Sequence, residues 1–113
     1  MTPEQIVAGQ LDAYNRRCLD DFLSWYADDV QVLGFPSGVE LADRSGAAFG
    51  ARYQRVFEAS PDLHAELVSR TVRGDIVIDH ERVTGFLGGA ETLEAVAIYQ
   101  VGPDRITRVW FLD

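Results

Sequence analysis

The sequence contains no lysine. All ten cationic side chains are arginines, set against 18 acidic residues, for a formal net charge of −8. Schiff-base chemistry by a lysine side chain is therefore excluded. An acidic chain without a basic cluster also argues against nucleic acid as a partner, because that affinity rests on neutralising phosphates. Anionic membrane surfaces are disfavoured for the same reason. Cysteine is nearly absent: Cys18 stands alone and can form neither an internal disulfide nor a cysteine metal site. Arg16 and Arg17 precede it, a setting that lowers a thiol pKa, but the plainer reading is an ordinary cysteine at a helix junction. Histidine is limited to His64 and His80, too few converging ligands for a metal site, so no metal and no other cofactor is expected. No apolar run approaches the roughly 20 residues a membrane helix needs. Met1 to Gln5 shows neither the basic start nor the apolar stretch of a signal peptide, and a cytoplasmic location is expected. There is no serine elbow, P-loop, dinucleotide fingerprint or zincin motif. Gly85 to Gly89 reads as a turn and not as a phosphate cradle, because no helix follows it.

What is present is a chain of 113 residues, 47% of them hydrophobic, enough for the core of one domain over 1–113. The apolar period is helical first and strand-like afterwards. Thr2 is a candidate N-cap and Pro3 suits a first helical turn. Ile6, Val7, Gln10, Leu11 and Tyr14 then share a helical face. A second short helix places Leu19, Phe22, Leu23 and Tyr26 on its buried stripe and ends at Ala27-Asp28-Asp29. Val30 to Leu33 reads as a strand. Ser45 is a candidate N-cap for a third helix carrying Phe49, Tyr53, Val56 and Phe57, which Ser60-Pro61-Asp62 stops. Four strands follow as a meander: Leu63 to Arg73, Ile76 to Phe86, Thr92 to Val101 and Arg105 to Leu112. Segregated helices and strands predict an α+β fold.

Several strings resemble the NTF2-like superfamily, in particular its SnoaL-like and ketosteroid-isomerase-like branch. They are Tyr14-Asn15-Arg16-Arg17 with Leu19-Asp20-Asp21-Phe22, Tyr26-Ala27-Asp28-Asp29-Val30, Val77 through Gly85, and Arg108-Val109-Trp110-Phe111. The resemblance implies a cone, with three N-terminal helices packed on a strongly curved antiparallel sheet, a pocket at the wide end and frequent dimers. It does not imply one activity, since the fold hosts isomerases, cyclases, hydrolases, dehydratases and binding domains. Aligned without gaps from Asn15, the isomerase's oxyanion-holding tyrosine falls on Gln10. Its general-base aspartate falls on Gly34, and its protonated aspartate falls on Ala97. Two tyrosines that back the isomerase pocket have counterparts in Tyr26 and Tyr53. The resemblance thus implies the isomerase fold without the usual isomerase residues.

Two features retain chemistry. Gln10 sits in an apolar stripe, where an amide without partners costs about 1–3 kcal/mol; it bonds either a tyrosine hydroxyl or backbone group, or a ligand. Asp79 and Glu81 lie two apart on one strand and so share a face, with Cα atoms roughly 6.5–7 Å apart. The resemblance puts that face on the concave, pocket side. Two carboxylates in an apolar cavity would have at least one pKa raised, leaving a proton donor beside an acceptor. Alternatively the face is solvated, or the carboxylates pair with Arg70, Arg73 or Arg108. Alternation alone leaves the inner face open, because Ile76, Ile78, His80, Arg82 and Thr84 are equally mixed. His64 and His80 are expected as cross-strand neighbours in a polar ladder with Glu66 and Arg82.

The expected pocket takes a small, mostly apolar organic molecule. Its walls are Gln10, Tyr14, Tyr26, Phe35, Tyr53, Phe57, Ala97, Tyr99, Val109 and Phe111, with Asp79 and Glu81 as the catalytic pair. The small side chains of Ala95 and Ala97 leave room beside Tyr99. A non-catalytic ligand-binding or dimerisation module of the same fold is the alternative. Trp110, near Val96 and Ile98, faces the other way, and an apolar patch there predicts a homodimer through the convex sheet face.

Overall fold

The first helix, α1 (Pro3–Arg16), opens with a reciprocal capping box. The Thr2 hydroxyl accepts from the Gln5 N–H at 3.2 Å, and the Gln5 side chain accepts from the Thr2 N–H at 2.9 Å. Pro3 occupies the first turn, where its missing N–H is not needed. The helix ends at Arg17, which turns left-handed at φ 54°. Its last turn is fastened to the sheet by Asn15, whose amide both accepts from the Ala65 N–H (2.8 Å) and donates to the Ala65 carbonyl (3.1 Å). One side chain thus copies the pairing of a neighbouring strand.

The computed structural model describes residues 1–42 and 46–112. After α1 come α2 (Leu19–Ser24), β1 (Tyr26–Phe35), β2 (Glu40–Ala42), α3 (Gly46–Ala59), β3 (His64–Arg73), β4 (Ile76–Thr84), a short 3₁₀ turn (Phe86–Gly88), β5 (Leu93–Val101) and β6 (Ile106–Leu112). The proposed N-cap Ser45 lies outside the described residues. Three helices lie on one face of a single sheet, as the α+β expectation requires. The sheet has six strands in the order β2-β1-β6-β5-β4-β3. The four-stranded meander is therefore only part of it. β1 adds to the meander's last strand in parallel, with Val32 opposite Val109 and Gly34 opposite Phe111.

Two local expectations are corrected. Tyr26-Ala27-Asp28-Asp29 is strand and not helix end: α2 stops at Ser24, and the Trp25 carbonyl already accepts from the Ile106 N–H of β6 at 2.8 Å. Pairing to β6 overrides the helical pattern there. Second, His64 and His80 are not neighbours. The β3–β4 register sets His64 opposite Thr84, four residues from His80, and a bulge between Leu67 and Ser69 inserts Val68 and leaves His80 facing Ser69. The bulge also resets the alternation of β3. Ala65 points inward before it, and Arg70 points inward after it, opposite Asp79.

The core lies between helices and sheet. Phe22 is its centre, 1% exposed, with its ring centroid 4.7 Å from Tyr53 and 5.1 Å from Tyr26. Phe49, Phe57 and Tyr14 complete the aromatic cluster. Removing so large a buried ring costs about 3–5 kcal/mol in general.

Candidate functional site

Strand alternation, once registered, decides which face is inside. Val77, Asp79, Glu81 and Val83 of β4 are all buried, as are Ala97 and Tyr99 of β5 and Val109 of β6. Ile78, His80 and Arg82 lie on the opposite, outer face, where both His80 and Arg82 bond Glu94. Both carboxylates therefore sit beneath the helices, but in different company.

Asp79 is fully buried and is held by Arg70 in a two-pronged pair, Nε to Oδ1 at 2.7 Å and Nη2 to Oδ2 at 2.9 Å. Of the three arginines considered as partners, only Arg70 reaches it. Arg108 points outward, donating to the Gln31 side chain and lying over the Trp110 ring. Arg73 is exposed, opposite Ile76 at the far end of the β3–β4 hairpin. Two parallel charge-assisted bonds fix the Asp79 carboxylate in place.

Glu81 is 7% exposed and has no hydrogen-bond or ion-pair partner among the described residues. Burial pushes its carboxyl up to about 7; the neighbouring Asp79 raises it further, and Arg70 pulls it partway back. A proton on Glu81 is thus gained and lost near neutrality.

Glu81 opens into an inner chamber of about 90 Å³, room for about three water molecules. Gln10, Tyr14, Tyr26, Tyr53, Tyr99 and Phe111 share its wall with Leu11, Phe22, Val83 and Ala95. Gln10 is bonded as a buried amide requires. It accepts from the Tyr26 hydroxyl at 2.8 Å and donates to the Tyr99 hydroxyl at 3.2 Å. Burial keeps all four tyrosines protonated: Tyr26 and Tyr99 are raised far above the usual phenol range, and Tyr14 is raised as well. Tyr53 is pushed up to about 12 by burial, with Arg52 pulling it down and Glu81 pushing it up. Each hydroxyl is therefore a donor at any physiological pH.

A second cavity of about 250 Å³, the vestibule, shares Tyr14, Tyr53, Val83, Ala95 and Phe111 with the chamber. Arg52, Val56, Phe86, Leu93 and Glu94 complete the vestibule.

The expected wall is assembled in part. Gln10, Tyr14, Tyr26, Tyr53, Tyr99 and Phe111 come together around Glu81. Ala97 and Val109 are buried behind the wall, and Phe57 packs into the aromatic cluster. Phe35 is not at the pocket. It is 44% exposed at the end of β1, where alternation sends Val30, Val32 and Gly34 inward and Phe35 outward. The vestibule residues Arg52, Phe86 and Leu93 were not anticipated. Arg52 sits beside Tyr53 on a helix whose apolar stripe was legible, but its reach to the mouth depends on where α3 lies. Among the described residues no group of three or more potential metal ligands converges, and no helix is long and apolar enough to cross a membrane.

The sequence matches the model of the SnoaL-like domain over residues 7–109. The chain belongs to the SnoaL-like family. No curated protein sequence matches it. Among solved structures, an uncharacterised cystatin-fold protein from Novosphingobium aromaticivorans superposes with a TM-score of 0.88 at 24% identity, covering 100% of this chain and 99% of that one. A SnoaL-like protein of unknown function from Burkholderia thailandensis gives 0.78 at 26% identity, covering 96% and 91%. A candidate polyketide cyclase from Sinorhizobium meliloti gives 0.77 at 21% identity, covering 95% and 93%. In this SnoaL-like chain Gly34 and Ala97, the positions on which the sequence resemblance set the isomerase carboxylates, are both buried on the inner face. Ala97 lies directly between Asp79 and Phe111 across the sheet. The carboxyl that meets the chamber comes instead from β4, as Glu81.

Proposed function

We propose that this SnoaL-like protein binds a small, mostly apolar molecule and moves a proton on it with Glu81, without a cofactor. The observation that carries the reading is the division of labour between two adjacent carboxyls. Asp79 is neutralised by Arg70, whereas Glu81 is unpartnered, faces an aromatic chamber and titrates near neutrality. A general base works best with a pKa near the working pH.

The reaction class that fits is proton abstraction next to a carbonyl. The C–H bond breaks and its proton goes to the Glu81 carboxylate. The electron pair moves onto the carbonyl oxygen, giving an enolate. Tyr99 accepts its bond from Gln10, which leaves its own proton free for that oxygen, and Tyr14 and Tyr53 are further donors on the same wall. Return of the proton to another carbon completes an isomerisation; attack of the enolate carbon on a second carbonyl closes a ring, and the alkoxide so formed takes the proton back from Glu81. The candidate polyketide cyclase among the structural neighbours is in keeping with the second course.

A binding role without catalysis is the competing reading. The inner chamber of about 90 Å³ favours it, being well below the roughly 300 Å³ at which ligand pockets usually begin. Deuterium exchange separates the two. With 2-tetralone as a carbon acid in D₂O, the wild type is expected to accelerate exchange of the protons beside the carbonyl, and Glu81→Gln to lose that acceleration. Equal exchange by both proteins would remove the catalytic role.

For the assembly, the reading is a homodimer through the outer sheet face, centred on Val96, Ile98 and Trp110. What supports it is composition: these half-buried apolar side chains adjoin Ile78, with Arg108 and the His80–Glu94–Arg82 cluster around them. An apolar centre inside a polar rim is the usual anatomy of a protein interface.

A further inference from the structure

Two charged residues line the vestibule, and one of them, Glu94, turns its carboxylate to the outer face of the sheet. Glu94 is already neutralised: one carboxylate oxygen bonds His80 and the other accepts from Arg82 at 3.1 Å. Arg52 has no carboxylate partner among the described residues. Its hydrogen bond among the described residues runs from Nη1 to the Leu41 carbonyl at 3.2 Å. That bond steadies the guanidinium and leaves its charge without a carboxylate partner among the described residues. The same charge is felt by the Tyr53 phenol, which lines both cavities, so Arg52 stands close to the wall they share. In a chain of net charge −8, a cation that lines an apolar cavity with no carboxylate partner among the described residues draws anions to that point.

We infer that Arg52 is the anchor for a carboxylate on the ligand, which makes the ligand class an apolar ring system bearing one acidic group. The inference rests on the pocket being a ligand site, as proposed above, and adds the polarity of what enters it. The carboxylate stays at the mouth on Arg52, where a planar guanidinium offers two parallel donors. The apolar body lies against Val56, Phe86, Leu93 and Phe111, and its far end reaches Glu81. Opposite ends of the pocket then differ in sign, which fixes the direction in which the ligand enters.

The test uses 2-naphthoate and its neutral isostere 2-naphthamide, with affinities measured by calorimetry at pH 6, where Glu81 is mostly protonated and does not repel an anion. Wild type is expected to bind the carboxylate about tenfold more tightly than the amide. Arg52→Gln should erase that preference, and Arg52→Lys should keep part of it, which separates loss of charge from loss of fold. If wild type binds both equally, or Arg52→Gln keeps the preference, the anchor is overturned while the pocket stands. If neither compound binds wild type, the anchor and the pocket reading fall together.

Discussion

A carboxylate removed from water has to find a countercharge or give up its own. Asp79 and Glu81 take the two courses side by side. Asp79 meets the Arg70 fork, and breaking such a buried pair by removing one partner generally costs about 3–5 kcal/mol. Glu81 meets aromatic rings and water-sized space, so the fold favours its protonated form. The consequence for stability has a definite sign. The folded state binds more protons than the unfolded chain between about pH 4.5 and pH 7, so stability falls as pH rises through that window, by on the order of 3 kcal/mol. Glu81→Gln removes the titration. Urea denaturation should show the variant gaining on the wild type by about that amount between pH 5 and pH 8. A difference between the two proteins that stays constant with pH would show that Glu81 is not desolvated.

Among the elements, the connection from β4 to β5 matters most for the pocket, because it carries Phe86 to the vestibule wall. It is tied down at two points. The fully buried Ser60 accepts from the Leu87 N–H at 2.8 Å. Gly85, at φ 74°, lies so close to the turn before β3 that a Cβ would stand 2.4 Å from the Asp62 carbonyl oxygen. Gly85→Ala therefore combines a left-handed backbone with a clash against main chain. It is expected to cost more than about 2 kcal/mol, read as a lowered thermal midpoint. A midpoint within one degree of wild type would mean this connection is not fixed as described. The same elements show what the sequence made legible. The capping box of Thr2 and Gln5 and the shared face of Asp79 and Glu81 follow from local spacing alone. The bulge at Val68 did not announce itself, since Leu67-Val68-Ser69 contains no glycine and reads as unbroken strand. Yet it decides that Arg70, and not Arg73, meets Asp79. Tyr26 was drawn into the helix by its spacing from Phe22, because its true neighbours in β6 lie some 80 residues away in sequence. Arg52 was missed for a similar reason: only the docking of α3 brings it to the vestibule.

On the scale of the whole molecule, the sheet separates the cavity from the proposed dimer surface. Its inner face holds the pocket, and its outer face carries Val96, Ile98 and Trp110 among charged neighbours. The expected assembly is a dimer at micromolar concentration by analytical ultracentrifugation, with Ile98→Glu sedimenting as a monomer. A wild type that is already monomeric there would rule out the outer face as a stable interface. Such a dimer leaves the chamber accessible, because the vestibule opens among α3, the β4–β5 connection and the start of β5.

All of this chemistry depends on one carboxyl that exchanges its proton near neutrality. Titration of the glutamate side-chain carboxyls by ¹³C NMR, with Glu81→Gln to assign the resonance, measures that property directly. The account predicts one glutamate titrating at about pH 7 and its absence from the variant. If every glutamate carboxyl titrated in the ordinary range near pH 4, Glu81 would be an ordinary solvated acid, and the pocket would hold molecules without acting on them.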